Sequence, residues 1–359
     1  MSNQQKVWSK VTRKLKKTMK GIPERYIVVW GMMVSGIVLK GCSRLSSMAA
    51  ALPTRALEKS SFRRLQRFVS NRHVDAQAHY LPFAQQILQA LSVNRLVFAM
   101  DSSQVANNCM VLLIGVVYRN RLLPITWIVY QGKKGHTTAQ KHIEVLEQLQ
   151  PLLPTDSEVV LLGDGEFDNV PMLQWVEEHT DWKYVVRTAK SSQVFINSEQ
   201  FRMDSFQEEG YITTIKYCSF TNHRYGPVTA VVWWEEGYEK PLYLISNCEE
   251  TDKICSWYQK RFLVETLFSD QKSRGFGVDK SHLSCPEKVS RLMVAVCISY
   301  LWMVWYGEEA ERLGKIYLIG HKYRCDKSIF RIGLDWFGYL LKHGLSVSVD
   351  FKVAVNTSC

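Results

Sequence analysis

Through residues 1 to about 94, apolar side chains recur at helical spacing with breaks at Gly41, Pro53 and Asn71, which predicts a run of helices. From residue 95 the pattern changes. The segments "RLVFAMDSS" (95–103), "CMVLLIGVVYRN" (109–120) and "RLLPITWIVYQG" (121–132) are rich in Val, Ile and aromatics and predict strands, with a hairpin at the abrupt "RNR". A helix is expected over 137–153, a strand over 158–164, a short helix over 170–179 and a strand over 182–188. A β-rich stretch, "YITTIKYCSF", "PVTAVVWWEE" and "PLYLISN", fills about 190–250 before a helix expected over 252–273. The charge-free apolar runs 26–39 and 292–307 are shorter than the roughly 20 residues that span a bilayer, so both are read as buried helices.

Three antiparallel strands followed by helix, strand, helix and strand is the order of a ribonuclease-H-like α/β domain. The expected fold is therefore α/β, with five parts. A basic helical DNA-binding domain (1–94) precedes the first part of the catalytic core (95–189). A β-rich insertion (190–250), the second part of the core (251–290) and a C-terminal helical region (291–359) follow.

Charge sharpens this division. Residues 1–94 carry 16 Lys and Arg against 3 acids, so the net charge of +11 is entirely N-terminal. Such an asymmetry suggests contact with a polyanion, nucleic acid first and an anionic membrane second. Within this part "SSFRRLQRFVSN" (60–71) sets Arg63, Arg64 and Arg67 opposite Phe62, Leu65 and Phe68 behind a Ser cap signal, an amphipathic basic helix suited to DNA. Its removal, as residues 1–70, is expected to abolish DNA-end binding and leave the catalytic domain folded. Nine cysteines without a CxxC pair argue against a zinc ribbon and a secreted disulfide framework, and no signal peptide is read at the N-terminus. A cytosolic setting is expected.

Two carboxylates follow apolar strands: Asp101 closes "LVFAM" and Asp164 closes "VVLLG", where a rigid sheet fixes a side chain's position. Glu265 lies on the helix expected over 252–273. In a ribonuclease-H-like fold these three elements are neighbours, and three oxygen donors without His or Cys favour Mg²⁺, with Mn²⁺ as substitute. Two such ions suit in-line phosphodiester displacement. Around Glu265 the pattern Tyr258-x2-Arg261-x3-Glu265-x6-Lys272 falls within an arc of about 60° on an α-helix. That stripe is open to two readings: a solvated helix face, or groups gripping phosphate beside the acids.

These six residues resemble the Asp-Asp-Glu transposases of bacterial insertion sequences, specifically the insertion-sequence-four family with its Tyr-Arg-Glu-Lys signature. The resemblance covers most of the chain. It implies Mg²⁺ bound by Asp101, Asp164 and Glu265, DNA held by Tyr258, Arg261 and Lys272, and a homodimer acting on paired terminal inverted repeats and target DNA. It further implies cut-and-paste transposition through a DNA hairpin, in the bacterial cytoplasm and with no membrane partner. Relatives use a Trp of the β-rich region to stack a flipped base, so one of Trp233 and Trp234 is a candidate platform, with a role in the core as the alternative. One departure stands out: many relatives carry Arg after the second Asp, whereas Gly165 and Glu166 precede Phe167 here. His136 and His142 are read as structural or near phosphate, not as ligands. Two other functions are weighed: a domesticated or inactive DNA-binding regulator, and a ribonuclease-H-like nuclease without strand transfer.

Overall fold

A computed structural model describes residues 2–52, 56–92, 95–133, 135, 137–320 and 326–353. Five helices open the chain: α1 (Asn3–Thr18), α2 (Glu24–Lys40), α3 (Leu45–Ala51), α4 (Glu58–Val69) and α5 (Ala76–Leu91). Strands β1 (Leu96–Ala106), β2 (Cys109–Tyr118) and β3 (Arg121–Gln131) follow as antiparallel hairpins, then α6 (Ala139–Leu149), β4 (Val159–Gly163), α7 (Val170–His179) and β5 (Lys183–Arg187). Next come β6 (Gln193–Ile196), β7 (Glu199–Arg202), β8 (Ile212–Phe220), β9 (Tyr225–Trp233) and β10 (Leu242–Ser246). The chain ends with α8 (Thr251–Tyr258), a tight 3₁₀ turn (Gln259–Phe262), α9 (Leu263–Gln271), α10 (Pro286–Arg312) and α11 (Ile329–Lys342).

The described strands form one ten-stranded sheet in the order β3-β2-β1-β4-β5-β10-β9-β8-β6-β7. β1, β4 and β5 are parallel and central, and α6 and α7 supply the crossovers that parallel neighbours require. The β-rich stretch extends this sheet, because β10 pairs antiparallel with β5. β6 and β7 escape the sequence reading. They are four-residue strands in the polar run "SSQVFINSEQFR", where apolar alternation is too short to register.

Two local expectations are corrected. The helix holding Arg63, Arg64 and Arg67 starts at Glu58, so the Ser pair lies inside it and caps nothing; Ser61 is buried instead. The helix expected over 252–273 is broken by the 3₁₀ turn Gln259–Phe262.

The N-terminal helices do not stand apart from the sheet. One continuous apolar cluster runs from Val7 to Phe351 and includes Trp30 and Met33 of α2 together with Leu292 and Val296 of α10. The buried Arg291 of α10 donates to the carbonyls of Val69 (2.9 Å) and Val74 (2.7 Å), and Lys14 of α1 pairs with Asp350 at 2.7 Å. This shared packing argues against the expectation that the rest folds without residues 1–70. α10 is long and apolar enough to cross a membrane, but 83% of its most apolar window is buried within the fold.

Candidate active site

β1 and β4 run in register through Ala99 and Leu162, and β4 and β5 through Gly163 and Val186. Carrying both ladders one or two residues further sets Asp101, Asp164 and Arg187 in one row across three adjacent strands. Aligned residues of parallel strands project to the same face, about 4.8 Å apart. Asp101 does not close its strand as expected: β1 continues to Ala106 on its β2 side. What ends near Asp101 is pairing with β4, whose last partner is Ala99. The aspartate is thus held on a paired backbone whose other edge has just opened. Asp164 lies one residue beyond β4, where its Oδ1 accepts from Glu166 N at 2.9 Å and closes a turn.

The segment after β10 lies over this row. α8 packs on β4, while the 3₁₀ turn and α9 pack on β1. The four signature residues do not share a helical stripe, because the turn advances about 120° per residue and Lys272 lies past the end of α9. Tyr258 is 1% exposed, and burial pushes its hydroxyl up to about 12 against the pull of Arg261 and Arg187, with Asp164 also near enough to act on it. The Arg261 side chain is 5% exposed and donates from Nη2 to Glu265 Oε1 at 2.7 Å, while the Glu265 side chain is 57% exposed. Burial works against the Arg261 charge, yet Tyr258, Glu265 and Asp101 together outweigh it and raise its pKa. Lys272 Nζ donates to Ser103 Oγ at 2.5 Å, two residues along β1 from Asp101 and on the same face.

Among the described residues, no three His, Cys, Asp or Glu side chains are grouped closely enough to hold a metal ion. The Glu265 carboxylate is instead engaged by Arg261. Asp168, near Asp164, has its carboxyl raised by burial and by that neighbour's charge while Thr188 Oγ donates to it at 2.6 Å.

Two residues were missed or underrated. Arg187 ends "KYVVR" just as the acids follow their own apolar runs, and a register count across β4 and β5 is the signal that finds it. Glu166, seen in the sequence only as a departure, accepts from Ser102 Oγ (2.6 Å) and Thr137 N (3.1 Å) and so ties β1 to the approach to α6. Burial pushes its carboxyl up, but these donors prevail and hold it below its ordinary value.

The remaining candidates lie elsewhere. Arg63, Arg64 and Arg67 are exposed on α4, with Leu65 and Phe68 buried beneath them. Trp233 is buried and its indole Nε1 has no hydrogen-bond partner among the described residues. Trp234 is half-buried and donates to Tyr238 O at 2.7 Å. His142 is buried against Phe167, at a centroid distance of 4.6 Å, with Nδ1 2.9 Å from Asn169 Nδ2. Burial lowers it to about 4, so it is a neutral core residue. His136 lies outside the described residues.

Comparison with known proteins identifies the family. A model of the family described as "Transposase DDE domain" matches residues 72–302. No curated protein matches the chain. Among solved structures, a piggyBac transposase synaptic complex with hairpin DNA is similar in fold, with a TM-score of 0.50 and 14% identity over 96% of this chain and 80% of that one. The family match spans well over half of the chain, which therefore belongs to the transposase DDE-domain family and is a DNA transposase, an enzyme that cleaves DNA.

Proposed function

We propose that the chain is a bacterial insertion-sequence transposase of the insertion-sequence-four type, with a ribonuclease-H-like core, cutting and pasting its element through a DNA hairpin as a homodimer on paired terminal repeats. What supports this reading is that the parallel ladder of β1 and β4, in register as far as Ala99 and Leu162, leads each strand two residues on to an aspartate, Asp101 and Asp164, with the segment bearing Glu265 packed on the same two strands. Asp101, Asp164 and Glu265 would hold Mg²⁺, or Mn²⁺ in its place. The fit rests on donor chemistry, because this face offers carboxylate oxygens, and His142, which faces Glu166, is buried and neutral. Bound there, divalent ions supply an activated hydroxyl and stabilise the leaving oxygen of a phosphodiester.

The chain's own groups bind and orient the substrate. Arg261 spans Glu265 and the Asp101 charge, so an incoming phosphate competes for its planar fork and frees the Glu265 carboxylate to turn toward the two aspartates. Lys272 and Arg187 offer positive charge on either side of the row, and the buried Tyr258 fixes Arg261 from below. Of the paired tryptophans, Trp234 keeps an exposed surface and is the one to stack a flipped base, whereas Trp233 belongs to the core. Arg63, Arg64 and Arg67 contact duplex DNA in residues 1–94.

The test is Mg²⁺-dependent cleavage of DNA carrying the element's ends, with Asp101→Asn and Asp164→Asn run beside the parent chain. Both variants are expected to lose cleavage and keep DNA binding. Mg²⁺ at ten times its Kd should stabilise the parent by about 1.4 kcal/mol and leave Asp164→Asn unmoved. Cleavage by Asp164→Asn would overturn the assignment and leave the reading of a nuclease built on other residues.

A further inference from the structure

The ladder between β1 and β4 runs as far as Ala99 while β1 itself continues to Ala106, and a cleft of about 760 Å³ lies beside that end of the strand. Its walls come from three separate parts of the chain. Arg44 arrives on the loop between α2 and α3, Lys272 stands at the end of α9, and Lys280 and His282 follow from the short turn Val278–Lys280, which packs on β1. Gln104 lines the floor, and Asp279 is the acid among the lining residues. The parts are fastened together: Arg44 Nε donates to Lys280 O at 3.2 Å, and Asn107 N to Leu283 O at 3.2 Å. His282 adopts a left-handed backbone conformation, φ +60°, that a non-glycine residue holds only where its surroundings impose it.

The cleft is continuous with the catalytic face. Lys272 lines it and also donates to Ser103, two residues from Asp101 on the same side of β1. Arg44 and Lys280, exposed, and the half-buried Lys272 outnumber the one carboxylate, Asp279, and make a surface that attracts a polyanion. Its volume is that of a small-molecule site, roughly 300–1,000 Å³, which is room for a few nucleotides of one strand. We propose that this cleft is a binding site for the sugar-phosphate backbone of a single DNA strand as it leaves the catalytic carboxylates. Arg44, Lys280 and His282 take its phosphates, and Gln104 takes a sugar or base edge. The proposal rests on the transposase reading of the carboxylate row and adds where one product or substrate strand runs. It also gives the N-terminal segment, through Arg44, a part beside the active site.

The experiment uses the full chain and fluorescein-labelled oligonucleotides: dT10, a blunt hairpin duplex, and the same hairpin with a ten-nucleotide 3′ or 5′ tail. Anisotropy is followed against salt for the parent, for Arg44→Gln/Lys280→Gln, and for His282→Gln. Each phosphate contact on a single strand contributes about 0.7 to the slope of log K against log salt, so the double variant should lose about 1.4 on dT10. Its affinity there at low salt should fall about tenfold or more, with blunt-hairpin binding unchanged. A deficit on one tailed hairpin supports the proposal and identifies which side of the scissile phosphate the strand occupies. Equal slopes for variant and parent, or equal losses on the blunt and tailed hairpins, would overturn it. Photocrosslinking of 5-iodouracil-substituted dT10 to residues 272–284 gives a second readout that does not depend on variant folding, and crosslinks confined to other peptides also refute it. Asp164→Asn should bind dT10 as the parent does, so failure of the catalytic assignment and failure of the cleft remain separate results.

Discussion

Arg261 and Glu265 form an ion pair at 2.7 Å in which the cation is buried and the anion faces solvent. An i,i+4 pair on an exposed helix is worth a few tenths of a kcal/mol. This one differs because the guanidinium is desolvated, with Nε lacking a partner among the described residues, and is kept charged by Tyr258, Glu265 and Asp101. In the proposed function an incoming phosphate takes over this guanidinium from Glu265. Arg261→Ala should lower single-turnover cleavage tenfold or more and also cost about 1–3 kcal/mol of stability, seen as a lower Tm, since hydrogen bonds of a charged group are lost. Arg261→Lys should recover stability better than rate, because an ammonium lacks the planar fork. Unchanged cleavage in Arg261→Ala would return the residue to a purely structural role.

The register row makes a second prediction. Arg187 is the exposed last residue of β5, one position past Val186, the last partner of β4, and so in line with Asp164 if that ladder is extended. Removing it should leave folding nearly intact, within about 0.5 kcal/mol as for other exposed positions. Arg187→Ala should nevertheless weaken DNA binding and slow cleavage, with a measurable loss in the salt slope of about 0.9 on duplex DNA. A variant with parental rate and slope would show that the row ends at Asp164.

Much of this was legible in the sequence because the signals are local. The strands around Asp101 and Asp164 read correctly from apolar runs of four or more residues, and the order of elements from 95 to 188 follows from them. Buried α2 and α10 read correctly from length and lack of charge. The misreadings around the site depend on contacts distant in sequence. An ideal helix wheel placed Tyr258, Arg261, Glu265 and Lys272 on one open stripe, but packing against β1 and β4 goes with a tightened turn and a buried Tyr258. Arg187 was invisible until β4 and β5 were paired. The continuity of the N-terminal helices with α10 depends on Arg291, a lone arginine whose partners lie more than 200 residues away.

That arginine gives the third prediction. Deleting residues 1–70 removes Val69 O and the apolar cover over α10, leaving a buried guanidinium with one of its two carbonyl acceptors. Losing a buried hydrogen bond of a charged group costs about 1.5–3 kcal/mol, and each large apolar side chain uncovered adds roughly 1.5–3 kcal/mol. The truncated chain should be insoluble or lack a cooperative melting transition. A soluble, cooperatively melting fragment 71–359 would show that α10 can be covered in another way. DNA contact by the basic helix is better tested by Arg63→Gln/Arg64→Gln/Arg67→Gln, which leaves Leu65 and Phe68 in place and should reduce the duplex salt slope at unchanged Tm.

The last prediction concerns pH and separates two buried groups with opposite effects. Burial raises Asp270 to about 6, despite the pull of Arg121 at 3.4 Å and of Arg274. Its folded pKa lies above that of an unfolded aspartate, so between pH 4 and 6 the folded chain keeps a proton that the unfolded chain has released, and stability falls as pH rises. Burial lowers His142 to about 4 from an ordinary value of 6.5. Between pH 4 and 6.5 the unfolded chain binds a proton there that the folded chain refuses, so this group makes stability rise with pH. The two slopes largely cancel in the parent, whose Tm should be nearly flat over this range as far as these residues decide it. Asp270→Asn removes the falling component, and its Tm should climb from pH 4.5 to 6.5 relative to the parent. His142→Gln removes the rising one and should give the reverse trend. Melting curves at pH 4.5, 5.5 and 6.5 decide the matter, and parallel profiles for all three chains would mean that neither group changes its proton affinity on folding.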